Sequence, residues 1–420
     1  PVLNKDRSIL MTDKLTQIRG QLPAVEAAAF LNTGTCGPLP TPTADIIAAV
    51  TRQEYTQGRA STSRFRQMME DKIAVRGHFA ALLNVPPESI ALTHHTTDGM
   101  NIATLGFNWQ PGDEVATTTI EHEAGLFPLY VIATRYGVRI NFAEVGLGED
   151  PLDAIDAALT PRTRLLSISH VSYSTGTRLP LAAIVELAHA KGVPVLVDGA
   201  QSAGVFDLDL TALGVDFYAV PGQKWLCGPE GIGALYVRPD RLESLHPTFV
   251  GYFSFQEQDW HGHYTLQPGA MRYETGMMYP ATVAGMRASL DWFRETVGPA
   301  WAYRRIAALS AYTRRAIAAL DGVRLITPEQ RQASLVNFLP VGWSPARMAG
   351  LVAALEEAGC IIRSIPHEPY CLRVSCGFYN TEAEIDGLCE ALAERLAAGP
   401  EAVTIPEWAV QYGLSDDPVQ

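Results

Sequence analysis

Val195-Leu196-Val197-Asp198-Gly199-Ala200-Gln201-Ser202 sets an aspartate directly at the end of a short apolar run. A β-branched run of this kind, closed by glycine, reads as a buried strand. A carboxylate at its end costs stability unless a cation or hydrogen-bond donors meet it. A second apolar run, 217–220, leads into Gly222-Gln223-Lys224-Trp225, with further glycines at 228, 231 and 233. A lysine at an apolar, glycine-rich strand end suits Schiff-base chemistry: desolvation disfavours the ammonium, and an imine removes the need for it. Taken singly, Asp198 reads equally well as a helix cap and Lys224 as a solvated loop residue. Their order and spacing together favour the chemical reading.

Working outward, similar apolar β-rich runs stand at 90–93, 115–118, 165–169, 193–197 and 233–237. Helical patterns separate them; LAAIVELAHAK (181–191) has its apolar residues at helical spacing. This alternation predicts an α/β domain, a mainly parallel sheet with helices on both faces. In such sheets chemistry gathers at the C-terminal strand ends. Residues 284–325 read as long helix. A smaller α+β unit follows, with strands at 334–339, 360–364 and 372–375 and helices at 345–358 and 381–398. Thr381-Glu-Ala-Glu384 predicts a capping box at the start of the last helix. Residues from 400 on read as a mobile or surface-docked tail.

The chain has 420 residues, 47% apolar and 18% charged, which is enough to bury a large core in more than one domain. Its net charge of −13, with no basic block, argues against nucleic acid or an anionic membrane as partner. No apolar stretch is long enough for a transmembrane helix, and the charged N-terminus does not read as a signal peptide. Met11 reads as a natural start, with the residues before it an addition. The six cysteines (36, 227, 360, 371, 376, 389) form no CxxC pair, which fits a reducing, cytoplasmic setting. No metal site is expected: His94/His95 and His261/His263 lack a third ligand at a convincing spacing.

Two upstream features share the order. Thr93-His94-His95-Thr96-Thr97-Asp98-Gly99-Met100-Asn101 follows a strand and opens a helix. Its hydroxyls and free N–H groups make either an ordinary N-cap or a phosphate site. Glu121-His122-Glu123 follows another strand, and a histidine there either stacks on an aromatic cofactor or is a plain polar residue.

The four pieces in this order, TTDGMN, EHE, VDGAQS and GQKWLCGPEGIG, resemble the pyridoxal-phosphate enzymes of fold type I, in the class V aminotransferase and cysteine desulfurase family. The resemblance covers roughly 28–395. It implies a large domain with a mainly parallel seven-stranded sheet and a smaller α+β domain. The expected division is 1–11 as an extension beyond the core and 12–35 as a segment packing with the small domain. The large cofactor domain is 36–295, the small domain 296–400, and the tail 401–420. The resemblance further implies that Lys224 holds pyridoxal 5'-phosphate as an imine and that Asp198 pairs with the protonated pyridine nitrogen. Gln201 would bond the phenolate oxygen, and His122 would stack on the ring. Thr97, the backbone at Thr96 and Gln223 would hold the phosphate. The family commonly has a hydroxyl residue two before the lysine; here Pro221 stands there. Phosphate contacts in the family also come across a homodimer interface, from a segment like Arg272–Met277, where Thr275 is the candidate. Ser174, in HVSYSTG, matches the position of a family asparagine near the substrate.

The C-terminal segment Cys360-Ile-Ile-Arg363-Ser-Ile-Pro-His-Glu-Pro-Tyr-Cys-Leu-Arg373-Val-Ser375 looks like the family's carboxylate-binding segment. Arg373 would clamp a substrate carboxylate, and Arg363 either faces the same cleft or makes a structural ion pair. No glycine/serine-rich loop carries a cysteine there, which disfavours a persulfide-forming desulfurase; Cys360 and Cys371 read as core residues. The texture is most similar to the cysteine/cystine C–S lyase branch, which performs α,β-elimination on cystine, cysteine or an S-substituted cysteine. Aminotransferases, isopenicillin-N-epimerase-like enzymes and decarboxylating oxidative deaminases of the same family stay open as alternatives, with cysteine desulfurase less favoured.

Overall fold

The computed structural model describes residues 14–147 and 149–419. The readings made for residues 1–11 lie outside them. The central sheet has seven strands: β1 Ile90–Thr93, β2 Glu114–Thr118, β3 Arg139–Ala143, β4 Thr163–Ser169, β5 Val195–Asp198, β6 Phe217–Pro221 and β7 Gly233–Val237. Their spatial order is β1-β7-β6-β5-β4-β2-β3. β7 runs antiparallel to both neighbours and the remaining pairs are parallel. β5, β6 and β7 are buried along their whole length, so they appear in the sequence as unbroken apolar runs. β3 has no such signature. It is the edge strand and its first four residues are partly or fully exposed.

Helices α1 Thr41–Gln57, α2 Thr62–Leu83, α3 Thr96–Leu105, α4 Glu123–Tyr136 and α5 Leu181–Ala190 flank this sheet or connect its strands. The expected single helix over 284–325 is instead two, α6 Pro280–Trp292 and α7 Pro299–Ala318. A π-helical turn, Phe293–Val297, and Gly298 at φ 77° separate them. Apolar spacing continues through the break, but glycine with positive φ followed by proline at the first helical position stops one helix and starts the next.

The second sheet is antiparallel, with strands β8 Val323–Leu325, β9 Leu335–Pro340, β10 Arg363–Ile365 and β11 Cys371–Ser375 in the order β8-β9-β11-β10. Helices α7, α8 Pro345–Glu357 and α9 Glu382–Ala398 close its core around Phe338, Leu351, Leu372, Val374 and Leu388. The capping box forms: Thr381 Oγ1 accepts from Glu384 N–H, and Glu384 Oε2 accepts from Thr381 N–H. The strand expected at 360–364 is divided. Cys360–Ile361 pairs in parallel with Ala29–Phe30, and β10 pairs with β11. Asn32 then bridges to Ser375, which carries the following loop from the small sheet toward the ends of β5 and β6. After residue 400 the chain is docked: Asp416 meets Ser344 and Arg347 at the start of α8, and Val419 N–H bonds the Trp343 carbonyl. Among the described residues, no helix is long and apolar enough to cross a membrane.

Candidate active site

A cavity of about 280 Å³ opens at the C-terminal ends of the parallel strands, under the loop at Gly34 and Thr35. Lys224, just after β6, lies in it. The Lys224 side chain is half-buried in the cavity wall. Enclosure by the protein pushes its amine down to about 8, with Arg373 and Arg363 acting in the same direction and Asp198 opposing. The loop fits closely: Gly37 N–H bonds the Gln223 carbonyl at 2.7 Å, and a Cβ at Gly37 would fall 2.3 Å from the Lys224 carbonyl oxygen. Only glycine allows that approach.

Asp198 ends β5, is 6% exposed, and accepts from Ala200 N–H at 2.8 Å. Gln201 donates to the Gly34 carbonyl at 2.8 Å and accepts from Trp225 Nε1–H at 2.9 Å. One N–H of its carboxamide is left over. His122 caps α4, its Nδ1 accepting from Ala124 N–H at 3.0 Å. Burial holds its ring below the usual histidine range, with Lys224 adding to the effect and Asp198 opposing, so the imidazole is neutral at neutral pH.

His95 caps α3, whose first residues, Thr96 and Thr97, line the cavity. The Thr96 hydroxyl and the Gln223 carboxamide oxygen are buried without a hydrogen-bond partner. Buried polar groups without partners beside a helix N-terminus fit an incoming phosphate; the Gln223 amide presents its N–H₂ there by a simple flip. Pro221 lines the same end and contributes no donor.

Arg363 and Arg373 face each other across the β10–β11 pair. Arg373 is 1% exposed. Its Nη2 donates to Thr35 Oγ1 at 2.9 Å and Asn32 Oδ1 at 3.4 Å, while Arg363 Nη1 reaches the same Thr35 oxygen at 3.4 Å. Among the described residues neither guanidinium has a carboxylate within ion-pairing distance, so the structural ion pair weighed for Arg363 does not form. Burial, and then Arg363, push Arg373 down to about 9. Two cations held side by side without a counter-ion are costly, an arrangement that suits an anion arriving from outside.

Two expected residues lie outside this cavity, Thr275 in keeping with the expectation that it serves a neighbouring subunit. Ser174 does not line the cavity: its hydroxyl faces Ser172 at 3.2 Å, and its carbonyl accepts from Asn337 and Cys371. The turn after β4 directs its neighbour Tyr173 inward instead. Thr275 lines a second cavity of about 570 Å³ with His94, Asp98 and Glu274, apart from Lys224 of its own chain.

Several residues near the site had no role assigned from the sequence. Glu121 is buried and accepts from Thr118 at 2.5 Å and Ser169 at 2.6 Å. Burial raises it to about 7 against those hydrogen bonds. Tyr173, Glu123 and His367 form a polar cluster, with Tyr173 O–H bonded to His367 Nε2. Cys36 meets Glu230 at 3.6 Å; burial and that carboxylate raise its thiol. The segment 121–123 already held two of these residues, but His367 comes from a loop whose place depends on the small domain.

Residues 30–388 match the model of the family described as aminotransferase class-V. The chain is 32% identical to a probable cysteine desulfurase of Xylella fastidiosa (strain 9a5c), over 82% of this chain and 83% of that protein. It is 31% identical to an isopenicillin N epimerase of Streptomyces clavuligerus, over 90% of this chain and 97% of that protein. Its fold is similar to that of the cystine C–S lyase C-DES in complex with its reaction product cysteine persulfide. The TM-score is 0.84 at 32% identity, covering 89% of this chain and 99% of the other. A C-DES variant with glycine covalently linked to its PLP cofactor aligns with a TM-score of 0.85. A matched family model over most of the chain, a shared fold and a cavity shaped around an enclosed lysine agree, and the chain belongs to the aminotransferase class-V family of pyridoxal-phosphate-dependent enzymes.

Proposed function

We propose that this protein is a carbon–sulfur lyase that performs α,β-elimination on cystine, cysteine or an S-substituted cysteine, giving pyruvate, ammonia and a thiol or persulfide. The observation that carries this reading is one cavity holding an enclosed lysine and two unpaired arginines, with no cysteine in its wall. The arginines suit the carboxylate of an amino acid. The lysine suits exchange with its amino group and then removal of the α-proton, since an amine near pH 8 is a usable base.

Bound pyridoxal phosphate supplies an electron sink for the negative charge left at Cα. In this reading Asp198 keeps the pyridine nitrogen protonated, His122 covers the ring face, and the spare Gln201 N–H meets the phenolate oxygen. Thr96, Thr97 and Gln223 take the phosphate. Arg373 clamps the α-carboxylate, and Arg363 takes the same carboxylate or a second one at the far end of the substrate. Once the β-substituent has left, the released enamine hydrolyses in water.

Elimination is favoured over persulfide-forming desulfuration because no thiol is poised to attack sulfur. The loop between β10 and β11, Pro366-His367-Glu368-Pro369-Tyr370, contains no cysteine. Cys371 is buried and burial pushes it up to about 12, and Cys36 is held as a thiol by burial and Glu230. The C–S lyase C-DES, similar in fold at 32% identity, supports the same reading.

We also infer a homodimer. Phe249, Val250, Tyr252, Met277 and Tyr279 are exposed large apolar residues on both sides of the Thr275 segment, a surface suited to a second copy. Thr275 would there approach the partner's phosphate site.

Product analysis of the holoenzyme with cystine, cysteine and a bulky S-substituted cysteine tests the reaction. Pyruvate and ammonia with a released thiol or persulfide are expected. Alanine with an enzyme-bound persulfide, or a transaminated keto acid, would overturn the lyase reading.

A further inference from the structure

α,β-Elimination takes a proton from Cα, and a basic alkyl thiolate leaving Cβ departs more readily when its sulfur is protonated. On the lyase reading Lys224 takes the first proton, and a separate acid is free to supply the second. We propose that the Tyr173 hydroxyl protonates the departing sulfur and that His367 resupplies its proton.

Besides the lysine and the arginines, the titratable groups of the cavity wall are His95, His122, Asp198 and Tyr173, and His95 is tied to the start of α3, its Nδ1 accepting from Asp98 N–H at 3.3 Å. Asp198 accepts from the backbone of Ala200. The His122 Nδ1 accepts from Ala124, which leaves its proton on Nε2, turned toward Glu123 Oε2 at 3.4 Å. Tyr173 lies in the cavity wall, 5% exposed, its ring edge-on to His122 with centroids 4.5 Å apart. It thus stands beside the histidine that, on the lyase reading, covers the cofactor ring.

From that hydroxyl a short hydrogen-bonded chain runs to water. Tyr173 O–H meets His367 Nε2 and lies 3.4 Å from Glu123 Oε2. His367 and Glu123 are 3.5 Å apart, with 37% and 41% of their side chains accessible. The inner end of the chain is dry and the outer end is wet, as a proton path into a closed site requires. Burial, with Glu123, holds the phenol above its usual range, so it enters the reaction protonated; Arg363 and Arg373 act the other way and steady the phenolate once it forms.

The step balances without an added oxidant or reductant. The Lys224 amine takes the Cα proton. The Cβ–S bond breaks with its electron pair on sulfur, and Tyr173 O–H gives sulfur its proton. The phenolate recovers a proton from His367, which recovers one from water. His367 and Glu123 do not touch substrate in this scheme: His367 resupplies and both position.

The test compares two leaving groups on the holoenzyme. S-methylcysteine releases a strongly basic thiolate that needs a proton, whereas 3-chloroalanine releases chloride, which needs none. With Tyr173→Phe, kcat for S-methylcysteine falls about 10²-fold or more, the size of a lost general acid, and falls far less for 3-chloroalanine. His367→Ala lowers turnover of S-methylcysteine selectively, and added imidazole restores it. His367 lies on a surface loop, so this variant tests the same path even where Tyr173→Phe fails to fold. Equal losses on both substrates, no loss on either, or no imidazole rescue would overturn the proposal. Wild-type protein that forms pyruvate from neither substrate overturns the lyase reading itself, a result distinct from a change in the ratio.

Discussion

Replacing Arg373 by methionine is expected to move binding and stability in opposite directions. Arg373 is buried beside Arg363 without a carboxylate partner among the described residues, and its fall to about 9 corresponds to about 5 kcal/mol of unfavourable interaction for the charged form. Methionine fills similar space without the charge. It gives up the hydrogen bonds to Thr35 and Asn32, each contributing about 1 kcal/mol, so the substrate-free protein should be as stable as wild type or more so. Binding changes the other way. Losing a buried, two-pronged contact to a carboxylate costs about 2–4 kcal/mol, which raises KM roughly 30- to 1,000-fold. The assay is pyruvate formation against substrate concentration, together with thermal melts with and without L-alanine, which has the carboxylate but no leaving group. Wild type at about 100 times Kd of alanine gains about 2.7 kcal/mol, and the variant gains little. An unchanged KM, with a melting temperature that drops as for an ordinary core truncation, would refute the reasoning and make Arg373 structural.

Lys224 in cofactor-free protein is enclosed and titrates at about 8, and only the neutral amine attacks the aldehyde. The rate at which stripped protein gains its visible absorption on adding pyridoxal phosphate should rise with pH around that value, and Lys224→Ala should gain no such band. A midpoint in the ordinary lysine range would contradict the enclosure. Glu121 titrates at about 7 folded against 4.5 as its ordinary value, so the native state holds its proton more tightly. The stability this gives is present below about pH 4.5 and is lost as pH rises through 7. Urea unfolding of Glu121→Gln should therefore match wild type at about pH 4 and exceed it by up to about 3 kcal/mol at about pH 8. Glu274 pairs with Lys72 at 2.7 Å and Arg76 at 2.6 Å, Lys72 being 1% exposed. Glu274→Ala strands that cation and is expected to cost about 3–5 kcal/mol by denaturant unfolding, whereas a cost below about 1 kcal/mol would show that water reaches it.

The central sheet was legible because its strands are buried on both faces and therefore appear as continuous apolar runs. β3 was not, since Arg139-Ile140-Asn141-Phe142-Ala143 lies at the edge and mixes polar with apolar residues. The long helix was over-extended because spacing alone does not register a break made by Gly298-Pro299. Within the site, strand-end positions marked Asp198, Lys224 and the start of α3, and the structure brings them to one cavity with His122, Gln201 and Gln223.

Local sequence determined where polar groups must leave a buried strand, because a charge at an apolar strand end has few inexpensive alternatives. It also marked Arg363 and Arg373 as candidates for an anion. Only the tertiary structure decided that both lack a counter-ion among the described residues, since that depends on which acids the other segments bring near. It decided in the same way that Tyr173 rather than Ser174 faces the cavity, because one residue of turn geometry reverses a side chain's direction. His367 and Cys36 come near the cavity, though not into its wall, through the packing of the small domain and the 32–37 loop on the large sheet. Such long-range packing leaves no local pattern in the chain, whereas strand burial leaves one in every residue it covers.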